Sequence, residues 1–222
     1  MRRRTHRGRN LILSALVLII LVGVPYYVYS TTTQPATLAT DLTSCPTFTT
    51  PGGGPATGDM YAKLNTAQGL IEVRLFASAA PKTVTNFVNL AQSGFYNNLV
   101  WHRIVQGFVI QTGDPVSKSG ANRSLWGQCG SSQTVPLEID SSLHNSVGYL
   151  GMARTSDPNS GTSQFYINLA DNTSSLDGKY TVFGQVISGV DAAFAIANTP
   201  VNGQSQPINA VFLTSVTIST SP

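Results

Sequence analysis

One permanent charge in this sequence sits inside an apolar and aromatic run. It is Arg103, in VWHRIVQGFVIQTGD from Val100 to Asp114. Strand parity puts Arg103 and Val105 on one face and His102 and Ile104 on the other. After Gln106-Gly107, Val109 and Gln111 share a face, opposite Phe108 and Ile110. A glycine within a strand pattern marks a bulge or bend, and a bend at Gly107 would carry Phe108 towards Arg103. A guanidinium and an amide beside an apolar floor suit an uncharged, partly apolar ligand with one or two polar atoms. The plainer alternative is an arginine that points to solvent and buries only its stem.

Other chemistries find less to work with. His6 lies in a basic tip, His102 faces away from Arg103, and His144 is in a polar loop. No serine stands in a nucleophile-elbow pattern, and the acidic residues are scattered, so a hydrolase triad or carboxylate pair has no support. Two separated cysteines do not make a zinc site. Asp171, Asn172 and Asp177 fall in turns and are not read as calcium ligands. The glycine-bearing loop 115–136 has no phosphate-loop pattern. No metal or cofactor is expected.

Composition sets the frame for these residues. The chain has 222 residues, of which 10% are charged, against about 25% in typical soluble domains. Thr, Ser and Gly carry much of the polarity, and short apolar alternations recur, which favours a mainly β domain. The net charge of +3 owes to Arg2, Arg3, Arg4, Arg7 and Arg9; the remainder holds 8 basic and 10 acidic residues. Nucleic-acid binding is therefore not expected.

Three regions follow in order. Residues 1–29 read as a basic tip and an uncharged stretch from Leu11 to Tyr29, about the length that crosses a bilayer. With the arginines cytoplasmic, it predicts a single-pass signal anchor in the cell membrane and an extracytoplasmic domain. A cleaved signal peptide is the competitor, but no clear small-x-small site follows. Residues 30–58, rich in Thr, Pro and Gly, read as a linker. Residues 59–222 form the folded domain. Cys45 and Cys129 in an exported chain suggest a disulfide, with two unpaired thiols as the alternative.

Within the domain, MYAKLNT and GLIEVRLF predict a hairpin. A helix follows, with Pro81 in its first turn and Val84, Phe87, Val88 and Ala91 at helical spacing. Strands are predicted around SVGYLGMAR, SQFYINLA, TVFGQVI and INAVFLTSVTIST. A second short helix, GVDAAFAIAN, aligns Val190, Phe194 and Ala197. The economical architecture is a closed eight-stranded antiparallel β-barrel capped by two α-helices, since closure removes exposed edges.

Four ordered motifs carry a family resemblance across about 59–219. WHRIVQGFVIQTGD, GYLGMAR, SGTSQFYINL and LDGKYTVFGQV resemble the signatures and groove-lining strand of the cyclophilin peptidyl-prolyl cis-trans isomerases. The resemblance implies Arg103 as the catalytic group and Phe108, Val109, Tyr166 and Leu176 as the proline pocket. It implies that Gln111 holds the arginine, and that Ala153, Arg154 and Gln164 pair with the peptide. Gly120 would lie beside a secondary groove, and Tyr180 would border the site. Tyr180 stands where many members have His, although Tyr at this place is known in bacterial-type members. Val109 replaces a frequent Met, Tyr166 a usual Phe, and Ser175 a Trp that many eukaryotic members use to hold cyclosporin, so cyclosporin binding is expected to be weak. The implied partners are proline-containing peptides and unfolded exported proteins. A docking or chaperone module with little turnover is the alternative.

Overall fold

The computed structural model describes residues 45, 47–49 and 52–222. Its first hairpin follows from alternation. β1 (Met60–Thr66) buries Ala62 and Leu64, and β2 (Gly69–Leu75) buries Ile71, Val73 and Leu75. They pair from Met60↔Leu75 to Thr66↔Gly69. Helix α1 (Pro81–Gln92) starts on proline and turns Val84, Phe87, Val88 and Ala91 inward. No adjacent side chain caps it. Glu138 does so from 55 residues away, accepting from Thr83 N at 2.8 Å and from Lys82 N at 3.0 Å. This satisfies amide groups that a helix start leaves open.

The chain continues through β3 (Leu99–Val100), β4 (Arg103–Val105), β5 (Val109–Thr112), β6 (Tyr149–Met152) and β7 (Phe165–Asn168). A four-residue helix α2 (Thr173–Leu176), β8 (Val182–Ser188), helix α3 (Val190–Ala197) and β9 (Phe212–Ser219) complete it, with two 3₁₀ turns within 115–125. All strand pairs are antiparallel, in the order β3-β9-β1-β2-β8-β6-β7-β5-β4. Phe87 of α1 packs among Tyr96, Phe165 and Phe183, with ring centroids 5.1–5.4 Å apart, and fills the space the curled sheet encloses.

The expected closed eight-stranded barrel is corrected in detail. Nine strands form, because the strand expected from residue 100 breaks at Trp101-His102. β3 pairs with β9 at one end of the sheet, while β4 pairs with β5 at the other. The two ends are joined by the covalent chain between Val100 and Arg103 rather than by a hydrogen-bonded ladder. Among the described residues there are three α-helices instead of the two expected for the domain, the addition being α2. The face of α3 also differs: Ala192, Ala193, Ile196 and Ala197 are buried, whereas Phe194 is 38% exposed. Small alanines let this helix lie close to the sheet, and the bulky ring is turned outward.

The single membrane span expected at 11–29 lies outside the described residues. Among the described residues no helix is long and apolar enough to cross a membrane. The longest, α1, has 12 residues, against the ~20 that a span requires. The cell-membrane localisation read from the sequence is corrected accordingly.

Part of the segment expected as a linker, 30–58, is described. Cys45 is joined to Cys129 by a disulfide. The Phe48 carbonyl accepts from Ser132 N at 3.0 Å, and its ring meets Phe95 edge-on with centroids 5.6 Å apart. Ala56 N donates to Thr85 Oγ1 at 2.9 Å. These residues lie on the domain.

Candidate active site

The sheet register assembles the site. Arg103 is opposite Gln111, Gln111 opposite Tyr166, and Tyr166 opposite Gly151, which makes one row across β4, β5, β7 and β6. Directly opposed residues share a face, so Arg103, Gln111 and Tyr166 project to the same side. The next row, Ile104, Ile110, Ile167 and Leu150, projects to the other side and is buried in the core. Gly151 leaves the space that the Tyr166 ring occupies: a Cβ there would lie 2.1 Å from Tyr166 Cζ. At Gly107 the backbone takes a φ of 68°, the left-handed conformation glycine adopts readily. The turn brings the Phe108 ring to 5.8 Å from Arg103 Cζ, measured to its centroid.

A chain of amides holds the guanidinium. Arg103 Nη1 donates to Gln111 Oε1 at 3.3 Å, and Gln111 Nε2 donates to Gln164 Oε1 at 2.8 Å. Gln164 Nε2 then donates to the backbone carbonyls of Cys129 at 2.7 Å and Gly127 at 3.1 Å. Asp114 secures that loop from beneath. Its carboxylate is fully buried and accepts from the amides of Val116, Gly127 and Cys129. Burial pushes the Asp114 carboxyl above its ordinary value, against the pull of those amide donors.

Beside Arg103 lies a cavity of about 250 Å³. Phe108, Val109, Tyr166, Leu176, Ala153 and Tyr180 supply its walls, with Arg103, Gln111 and Arg154 as its polar edge. Val109, Tyr166 and Leu176 form a buried apolar cluster of their own. The Arg154 guanidinium is 4.7 Å from the Tyr180 ring centroid and is pinned by Lys179 O and Thr155 O, each at 2.8 Å. A second cavity of about 240 Å³ adjoins the first and shares Gln111, Ala153 and Arg154 with it.

Gln164 lines this second cavity, so nine of the expected binding residues and Arg103 gather at two adjoining hollows. Gly120 does not join them. It lies beside Ala210 and Phe212, where an added Cβ would meet them at 3.6 and 3.7 Å. The cluster of Val100, Val116 and Trp126 packs there. Gly120 lines neither of these two cavities. The sequence reading also passed over Gly127, Gly130 and Thr162, which line the second cavity. For the two glycines the signal was their spacing in loop 115–136, read there only for phosphate binding; Thr162 lies outside that loop.

The remaining titratable groups take other places. His102 is fully buried, and burial lowers its pKa from 6.5 to about 4. His144 Nδ1 lies 2.7 Å from Asp177 Oδ2. Among the described residues no group of three or more His, Cys, Asp or Glu side chains is placed to hold a metal ion.

An apolar pocket edged by two held guanidinium groups, Arg103 and Arg154, can seat a ring and donate to an atom held above it. It offers no nucleophile. Comparison with known proteins agrees with that chemistry. The family model for cyclophilin type peptidyl-prolyl cis-trans isomerases matches residues 61–218. The chain is 40% identical over 148 residues to a peptidyl-prolyl cis-trans isomerase-like 1 of Aspergillus oryzae, covering 66% of this chain and 88% of the relative. It is 40% identical over 171 residues to a peptidyl-prolyl cis-trans isomerase-like 3 of Rhizopus delemar, covering 73% and 96%. Among solved structures, a Cryptosporidium parvum cyclophilin type peptidyl-prolyl cis-trans isomerase in the presence of the dipeptide Ala-Pro aligns with a TM-score of 0.63 at 31% identity. The alignment covers 72% of this chain and 99% of that one. On its sequence, its fold and the shape of its pocket, this chain belongs to the cyclophilin family of peptidyl-prolyl cis-trans isomerases.

Proposed function

We propose that Arg103 is the catalytic donor of this isomerase, and that the cavity beside it receives the proline ring of an X-Pro peptide. The barrier to rotation about a peptide bond is about 18–20 kcal/mol, because C–N resonance must be broken. As the bond twists, the prolyl nitrogen becomes pyramidal and gains a lone pair. A guanidinium N–H aimed at that nitrogen stabilises the twisted state more than either planar one. Phe108, Val109, Tyr166 and Leu176 hold the ring still while the preceding carbonyl swings. Gln111 fixes the guanidinium, and Ala153, Arg154 and Gln164 meet the peptide on either side of the proline. No bond is made or cut, so Arg103 acts without a nucleophile.

The observation that supports this reading best is the amide chain that holds Arg103 over an apolar cavity. The Ala-Pro dipeptide present with the Cryptosporidium relative supports a proline-peptide ligand for this chain. Residues 59–222 would form the catalytic unit, in line with the family match over 61–218, with Cys45, Phe48 and Ala56 of the preceding segment held against it. Substrates would be proline-containing segments of unfolded chains. Ser175, at the place where many members hold cyclosporin with a Trp, makes weak cyclosporin binding the expectation.

The test is isomerisation of a short X-Pro peptide by the full chain and by Arg103→Ala. Loss of one preorganised donor is expected to lower kcat roughly 10²–10³-fold, with circular dichroism unchanged. Equal turnover by the two proteins would sink the mechanism. Peptide binding without turnover in either would leave a docking module.

A further inference from the structure

Asn145 lines no part of the proline cavity, yet every polar group it owns is engaged around it. Its side chain is fully buried. Asn145 Oδ1 accepts from the Tyr166 hydroxyl at 2.8 Å and from Asn168 Nδ2 at 3.3 Å. Its N–H and its Nδ2 both donate to Asp177 Oδ1, at 2.8 and 3.0 Å. Its carbonyl accepts from Asn172 N at 2.9 Å.

These partners belong to two elements that each supply a wall residue to one cavity. Tyr166 is on β7. Asn172 and Asp177 flank α2 at its two ends, and that helix carries Leu176 into the cavity. The four residues of α2 form a single turn, too short to hold itself. Its position relative to Tyr166 is therefore set by what grips its ends, and Asn145 grips both. Asn172 extends the grip to a third wall: its Nδ2 donates to Phe108 O at 3.0 Å. Gly151 has no side chain to stop the Tyr166 ring from behind, and the hydroxyl bond to Asn145 tethers the ring at its depth.

We propose that Asn145 is a positioning residue that sets the width of the proline pocket, with the Tyr166 hydroxyl as its handle on β7. Asn145 acts through Tyr166, Asn172 and Asp177 and touches no substrate atom. It tunes which cyclic imino acid fits, while Arg103, tied separately through Gln111 and Gln164, is left in place. The proposal rests on the isomerase reading of the cavity.

The test uses the full chain and compares a prolyl peptide with its pipecolyl analogue, whose ring has one more methylene. Asn145→Ala frees both walls, and Tyr166→Phe removes only the hydroxyl. Both variants are expected to raise the pipecolyl-to-prolyl ratio of kcat/KM by about 10-fold, the low end of what one methylene is worth in an apolar pocket. The prolyl loss should fall on KM more than on kcat. A residue that merely supports the fold would scale both substrates together, so an unchanged ratio in Tyr166→Phe, whether or not Asn145→Ala folds, overturns the proposal. Dissociation constants of the two peptides carry the same ratio without turnover. A shifted binding ratio with no turnover in the parent protein would therefore fault the isomerase reading and spare the positioning role.

Discussion

His102 and Arg103 are neighbours in sequence with opposite fates, because β4 begins at Arg103 and His102 lies in the break before it. Arg103 stands at the cavity edge. His102 enters the core, where neither ring nitrogen finds a hydrogen-bond partner among the described residues. Burial then favours the neutral ring and lowers its pKa from 6.5 to about 4. An unfolded chain takes up that proton at the higher value. Between these two values the unfolded state binds more protons, so His102 costs stability as pH falls from about 6.5 towards 4, by up to ~1.4 kcal/mol for each unit. Above that window its contribution is level. Urea unfolding at pH 7, 6 and 5 should show this decline, and His102→Gln should flatten it; equal slopes in both proteins would refute the account. Asp177 obeys the opposite balance. Burial pushes its carboxyl up, but the donors on Asn145 and the His144 contact outweigh that and hold it below its ordinary value. The grip on α2 thus persists through the neutral range and is lost only at acid pH.

Arg103, Gln111 and the apolar floor were legible at this scale because strand parity and a glycine bend reveal a shared face. Asn145 was not. Its partners are 21 to 32 residues away, and an asparagine in a polar loop has no period to mark it.

At the scale of the element, the cavity is built by rows. Four strands contribute one residue each to the row that holds Arg103, and β6 contributes the absence of a side chain. Gly151→Ala puts a Cβ where the Tyr166 ring lies, and the ring must move into the cavity or break its bond to Asn145. Overpacking of this kind costs about 1–3 kcal/mol. The expected result is a lower melting temperature together with a fall in kcat/KM for the prolyl peptide of roughly 10-fold or more, since about 1.4 kcal/mol at the transition state is tenfold in rate. Retained kcat/KM would mean that the ring has another place to go. The hairpin of β1 and β2 and the helix α1 were readable because their alternation or period is unbroken over 7 to 12 residues. Helix α2 was hidden by its length, a single turn inside a Ser- and Asp-rich stretch. The face of α3 misled because three alanines and Ile196, rather than its one aromatic ring, decide which side is buried.

At the scale of the whole molecule, the sheet curls until its two ends meet in the chain itself. Val100 pairs with Phe212 at one end and Arg103 with Gln111 at the other. A closed barrel was expected from the strand tally and the removal of exposed edges, whereas the sheet breaks at Trp101-His102, where two buried side chains turn and no local pattern records it. The same curled sheet leaves Cys129 within reach of Cys45, and with it a stretch of chain that the family match does not include.

That bridge has a consequence for proteolysis. Gly52, Gly53, Gly54 and Pro55 are exposed, and exposed tips of small residues are where proteases cut. A nick there severs the backbone but not the molecule, since the N-terminal fragment still hangs from loop 127–130 by two sulfur atoms. After brief digestion with a broad-specificity protease, the chain should migrate at full size on a gel without reductant and as two pieces once a thiol is added. Two pieces without the thiol would mean that the fragments are not joined. With the bridge intact, cleavage in the exposed glycines changes connectivity without shedding the segment, and only cutting followed by reduction sets it free.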